Sequence, residues 1–160
     1  MSEENRAQAD SHSQLTIDDA YKLAIDHLKA GNHAEVEKIC SAIMQAFPNH
    51  VDTINLLGVI AQKTDNHEQA GKLFQKAISL NPEFADAHFN LGITFQEQGK
   101  NDQALLAFQK TIAINPNLPM SYLHMGILHC QKLQWLKAIP PLNRALKLNP
   151  QLFIAHFYLF

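Results

Sequence analysis

Apolar and polar residues follow one another along this chain in a pattern that keeps returning. Phe84, Ala87, Leu91 and Phe95 lie three or four residues apart, the spacing that gathers side chains on one face of an α-helix. Gly99-Lys100-Asn101-Asp102 interrupts it with turn-forming residues. Ala104, Leu105, Phe108 and Ile112 begin a second amphipathic stretch. Asn115-Pro116-Asn117 closes that stretch, because proline cannot extend a helix and restricts the residue before it. Pro119 opens the next helix where a missing N–H costs nothing. The same reading along the chain predicts helices at about 17–30, 34–47, 51–64, 68–80, 85–98, 102–114, 119–132 and 136–148, with a ninth starting at 153.

The prolines set the period. Pro48, Pro82, Pro116 and Pro150 are each 34 residues apart, and the last three follow Asn81, Asn115 and Asn149. Other positions keep the same register. Leu23, Leu57, Leu91, Met125 and Leu159 form one column, with Ala24, Gly58, Gly92 and Gly126 beside it. Val36, Ala70, Ala104 and Ala138 form a third, and Cys40, Phe74, Phe108 and Leu142 a fourth. Small residues recur where two helices approach closely, and large apolar ones where a side chain fills the gap.

Composition narrows the class. Of 160 residues, 46% are hydrophobic and 18% charged, which excludes a disordered chain and gives one ordinary domain's worth of core. The formal charge is -2, and Arg6 and Arg144 are the two arginines, which argues against a basic nucleic-acid binder. No run of apolar residues is long enough to span a membrane. Met1-Ser2-Glu3-Glu4-Asn5 does not open a secretory signal, and Cys40 and Cys130 are too few for a disulfide framework. A cytoplasmic protein with free thiols is the expectation. The charge is uneven: residues 1–102 hold all fifteen acids and eight bases, a balance of −7. Residues 103–160 hold no acid and five bases, Lys110, Lys132, Lys137, Arg144 and Lys147. Either the later part of the chain is covered by something, or the dipole serves association.

A 34-residue helix–turn–helix unit with Leu-Gly in its first helix, Ala and a large apolar residue four later in its second, and a closing proline resembles the tetratricopeptide repeat. Residues 85–118 match best, through Leu91-Gly92, Phe95, Gly99, Ala104, Phe108 and Asn115-Pro116. The resemblance covers 17–160 and implies an all-α, right-handed solenoid of antiparallel helix pairs. Its repeats are expected at 17–50, 51–84, 85–118 and 119–152, after a disordered segment 1–16 and before the start of a fifth repeat at 153–160. The first repeat departs in the direction of a terminal one, with Ala24, Val36 and Cys40. Pro140-Pro141 falls inside the last second helix, where missing N–H groups cost a few kcal/mol or shift the helix start.

Solenoids need a polar cap on the last face, and Leu152 to Phe160 is apolar. This reads as a piece of a longer protein or as an end that seeks a partner. Phe153, Ile154, Phe157 and Phe160 are the candidates for self-association, through a homodimer joined at this end. No cofactor or metal is expected. The nine histidines show no paired spacing with a glutamate on one helix. His27, His88, His129 and His156 read as packing residues at core or near-core positions, and Trp135 as a packing residue of a turn. Cys40 falls in a buried column; Cys130 is expected to be more accessible.

No catalytic motif is present, so the chain reads as a non-enzymatic interaction module that binds a protein or peptide, with neither nucleic acid nor membrane as partner. In arrays of this family the first helices line a concave groove. The resemblance places Tyr21, Ile25, Asn55, Leu56, Val59, Phe89, Asn90, Ile93, Leu123 and Ile127 there, apolar apart from two asparagines that offer bonds to a peptide backbone. The carboxylate clamp of chaperone-binding members is absent, because Tyr21, Ile25, Leu56, Asp86 and Asn90 occupy its places. Part of the groove is expected to be covered by the curvature of the stack or by segment 1–16; the rest suits an apolar peptide or amphipathic helix. The alternative is the N-terminal recruiting arm of a larger glycosyltransferase-, sulfotransferase- or methyltransferase-like enzyme, which the resemblance of Tyr21 to Ile25 and Leu57 to Ala61 raises.

Overall fold

The computed structural model describes residues 17–159, so the expectations for segment 1–16 and for Phe160 lie outside the described residues. These residues form helices α1 (17–29), α2 (His33–Ala46), α3 (Val51–Lys63), α4 (His67–Leu80), α5 (Ala85–Glu97), α6 (Asn101–Ile114), α7 (Pro119–Gln131), α8 (Trp135–Leu148) and α9 (Phe153–Leu159). No strand occurs among them. Each second helix starts one residue earlier than the periodicity predicts, and each of the first four first helices ends one residue earlier.

The turns explain that offset. Each of the first four first helices is followed, two residues on, by a residue with left-handed backbone, again 34 apart: Gly31 (φ 76°), Asp65 (φ 58°), Gly99 (φ 72°) and Leu133 (φ 57°). The N–H of the next residue reaches back to close the helix, in Asn32 to His27 O, Asn66 to Ala61 O, Lys100 to Phe95 O and Gln134 to His129 O, at 2.8–2.9 Å. Glycine adopts this backbone freely; leucine does so at a cost. The Asn-Pro signal at the other end has its own chemistry. The side-chain oxygens of Asn81, Asn115 and Asn149 accept from the N–H groups of Glu83, Asn117 and Gln151, turning the chain without a helix.

The core is a series of linked layers along the stack. Gly58, Gly92 and Gly126 on the first helices receive Phe74, Phe108 and Leu142 from the second helices, all three fully buried. A Cβ at those glycines would stand 2.5–2.6 Å from the facing side chain, so glycine is what lets the helices close. Layers join through residues such as Leu91, which packs with Ala61, Ala70 and Phe74 of the preceding repeat. Val36 and Cys40 of the first repeat are fully buried, as is Ala24. The helix α8 runs through Pro140 and Pro141 with its start unmoved, so the carbonyls of Leu136 and Lys137 go without helical donors. Leu136 is exposed there, where water can serve its carbonyl.

Candidate functional site

Successive first helices contact one another, α3 with α5 and α7 with α9. No pair of successive second helices packs to a comparable extent. The first helices therefore form the tighter, inner layer, and their free faces form the inside of the curve. Three hydrogen bonds bridge them. Asn90 Nδ2 donates to Asn55 Oδ1 at 3.1 Å, Gln62 Nε2 donates to Glu97 Oε2 at 2.8 Å, and His124 Nδ1 and Gln96 Oε1 are 2.9 Å apart. The spacing of Asn55 and Asn90 suggested two amides free for a partner's backbone; the fold spends part of their capacity on each other. It also places Gln62, Gln96, Glu97 and His124 on this face, so the groove is mixed rather than apolar.

The apolar residues divide by depth. Tyr21, Ile25, Val59, Phe89, Ile93 and Ile127 are half-buried and keep surface toward the inner face. Leu56, Leu123 and Asn55 are 3%, 1% and 9% exposed; they support the floor and have little surface to offer, which corrects their assignment as contacts. Phe89 lies 5.8 Å from Phe108 and 5.9 Å from His124 between ring centroids, and with Ile93 joins the cluster around Ala104, Phe108 and Leu128. Burial pushes the Tyr21 hydroxyl up to about 12, with Asp52, Cys40 and Asp86 adding to it, so Tyr21 is a neutral donor at this end. Asp18, Asp52 and Asp86, one per repeat, are exposed near the start of α1, α3 and α5.

The histidine reading changes as well. His88, Tyr122 and His156 share one column, and each reaches the carbonyl of the proline six residues before it. The distances are 2.9 Å from His88 Nε2 to Pro82 O, 3.2 Å from the Tyr122 hydroxyl to Pro116 O, and 3.3 Å from His156 Nε2 to Pro150 O. The proline carbonyls accept, so both rings donate from Nε2. These side chains tie each loop to the helix after it; His88 is half-buried and His156 exposed, so neither is a core residue. His27 and His129 are half-buried. Cys130 is buried like Cys40, against the expectation of access, and burial raises both thiols. Trp135 is more than half exposed, not packed into a turn. Phe153, Ile154 and Phe157 are exposed on α9. Among the described residues no three His, Cys, Asp or Glu side chains converge as a metal site, and no helix is long and apolar enough to cross a membrane.

Sequence comparison agrees with this architecture. A tetratricopeptide-repeat profile matches residues 85–118, and a second profile, described as TPR repeat, matches 63–99. No curated protein matches the chain in sequence. Among solved structures, that of MamA is similar with 24% identity over 84% of this chain and 79% of that one, at a TM-score of 0.75. YrrB, a TPR protein described as having an unusual peptide-binding site, shares 21% identity over 86% of this chain and 71% of that one, at 0.73. The O-GlcNAc transferase of Thermobaculum terrenum shares 19% identity over 84% of this chain at 0.75, but the likeness spans 26% of that enzyme. The repeat profiles over residues 63–118, the 34-residue register and the stacked helix pairs together show that this chain is built of tetratricopeptide repeats.

Proposed function

We propose that the inner face formed by α1, α3, α5 and α7 binds an apolar, extended or helical segment of another protein, and that the chain works as an interaction scaffold without chemistry of its own. The observation that carries this is the row of half-buried apolar side chains at repeat spacing, Ile25, Val59, Ile93 and Ile127. Such a row presents one anchor per repeat to a segment lying along the groove. Asn90 sits half-buried in the same face, its Nδ2 donating to the buried Asn55 Oδ1 and its own side-chain oxygen facing the partner in this reading. YrrB, which has the same fold, is itself described as a peptide binder, which supports the reading. Photo-crosslinking groups placed at Val59 and at Asn90 are expected to capture a partner, and one at Leu106, exposed on the outer helix α6, is not. Equal capture from all three positions, or none from the inner two, overturns the proposal.

A second reading has support from the transferase, in which a likeness of this fold makes up a quarter of the chain. In that reading the scaffold is the recruiting arm of a larger enzyme. Coding sequence running past residue 160 into a catalytic domain would establish it; a stop codon there would end it.

A further inference from the structure

A cavity of about 440 Å³ opens between α6, α7 and α8. It lies on the side of α7 opposite His124 and Ile127, and so away from the inner face. Its apolar part is made by Ile112, Met125 and Pro141. Tyr122 forms one wall, held in place by its bond to Pro116 O. The Arg144 guanidinium sits 5.8 Å from the centroid of the Tyr122 ring, and Lys137 stands exposed at the rim.

Several lysines of this fold are answered by a carboxylate. Lys72, Lys110 and Lys132 are paired with Glu68, Glu83 and Asp102. Among the described residues neither Lys137 nor Arg144 forms an ion pair. The repeat register gives the reason. Lys110 occupies in the third repeat the place of Arg144 in the fourth, and its partner Glu83 is replaced, 34 residues on, by Asn117. With no Asp or Glu after Asp102, this surface has two unanswered positive charges beside an apolar hollow.

We propose that this cavity is a second docking site, taken by an acidic and apolar peptide segment of a partner protein. An apolar side chain of the segment fills the hollow, and an adjacent Asp or Glu carboxylate meets Arg144 and Lys137. Arginine suits that role because its fork accepts a carboxylate through two parallel bonds. The rim also includes exposed Lys137 and Pro140, so a small ligand would leave one side wet, whereas pockets for small molecules bury most of the ligand surface. A peptide running along the hollow covers it. This site is independent of the inner groove.

The test uses the full chain and a fluorescent probe peptide of alternating glutamate and leucine, read by anisotropy. The probe is expected to bind, to weaken as salt is raised, and to lose at least tenfold in affinity when Arg144→Gln and Lys137→Gln are combined, with the helical signal unchanged. Lys76→Gln, at the same register place in the second repeat and exposed on α4, is expected to leave binding unaltered. Four results overturn the proposal: no binding of the probe, equal binding of a version with glutamine for glutamate, no effect of the double variant, or an equal loss of binding on Lys76→Gln. If dodecanoate binds and the probe does not, the cavity is a small-molecule site. If the double variant instead abolishes self-association, the occupant is the acidic half of a second copy.

Discussion

Repeats 85–118 and 119–152 have the same skeleton and opposite surfaces. Both close around a glycine, Gly92 and Gly126, and both set Ala104 or Ala138 against the neighbouring helix. Outside those contacts they part. The left-handed turn is Gly99 in one and Leu133 in the other. The second helix opens with Asn101-Asp102 in one and Trp135-Leu136 in the other, and the later helix carries Pro140-Pro141. Lys110 is answered by Glu83, whereas Arg144 lies over Tyr122. Columns at helix contacts specify the solenoid; columns at the surface are free to differ.

The two repeats differ most in their C-terminal neighbours. Behind repeat 85–118 stands another full repeat; behind 119–152, among the described residues, stands the short helix α9, with Phe153 82% and Phe157 78% exposed. Next to it a cavity of about 400 Å³ is lined by Cys130, Trp135, Ala138, Leu142 and Phe157. Burying such side chains is worth roughly 1.5–3 kcal/mol each. The 160-residue chain is therefore expected to self-associate at tens of micromolar through this end, by a two-fold pairing of α9 faces. The five bases of residues 103–160 oppose that pairing at low salt and are screened at high salt. Combining Phe153→Lys with Phe157→Lys is expected to give a monomer in light scattering. A monomer mass for the unmodified chain at both low and high salt rejects the expectation.

Next in size is the knob each glycine receives. Alanine at Gly92 would bring its Cβ within 2.6 Å of the Phe108 ring, which is fully buried and stacked 5.3 Å from His124. That ring has no room to retreat. Overpacking of this kind costs about 1–3 kcal/mol, offset by about 1 kcal/mol of helix propensity. Gly126→Ala meets Leu142, a flexible side chain that borders the 400 Å³ cavity. Chemical denaturation is expected to show Gly92→Ala clearly destabilised and Gly126→Ala close to neutral. Equal losses would mean that the cavity does not accommodate Leu142.

How far the sequence carries can be read from the same residues. The period, the helix pairs and the contact columns come from spacing alone, because residues 34 apart must repeat the same environment. Depth does not. Leu56 and Leu123 share columns with Asn90 and Phe89, yet they are buried, because depth depends on the size of neighbours in the flanking repeats. Nor does spacing give the bridges across the inner face. Asn55 to Asn90 spans 35 residues and Gln96 to His124 spans 28, not 34, since the twist of the stack brings adjacent columns together. The unanswered charge of Arg144 arises from a missing carboxylate, visible in sequence as Asn117 once the Lys110–Glu83 pair is known.

A smaller effect separates the two turns. Leu133 holds φ 57° while 73% exposed, so it bears the cost of left-handed backbone and gains little packing. Leu133→Gly removes a strain of roughly 1 kcal/mol, and the added freedom of glycine in the unfolded chain returns part of it. A small rise in the thermal midpoint is expected. Gly99→Leu in the preceding repeat is expected to lower it by a similar amount. A fall on Leu133→Gly would show that the leucine side chain packs in solution.

The smallest effect lies where the two repeats meet. His124 of α7 stacks on Phe108 of α6 and bonds Gln96 of α5, and burial lowers its pKa below the usual histidine range. The neutral ring is the form that suits this site. In the unfolded chain the ring protonates as pH falls through about 6.5, while in the folded protein it resists. Between those two values the unfolded state binds more protons, so stability rises with pH and is lost on acidification. Above the unfolded value both states are neutral and the contribution is constant. Lowering pH from 7 to 5 is therefore expected to reduce the denaturation midpoint. The difference between the parent and His124→Gln is what isolates this ring. Glutamine keeps a donor and acceptor for Gln96 and has no charge to gain, and the variant is expected to show the shallower slope. Identical slopes for the two proteins would show that His124 takes its proton as readily folded as unfolded.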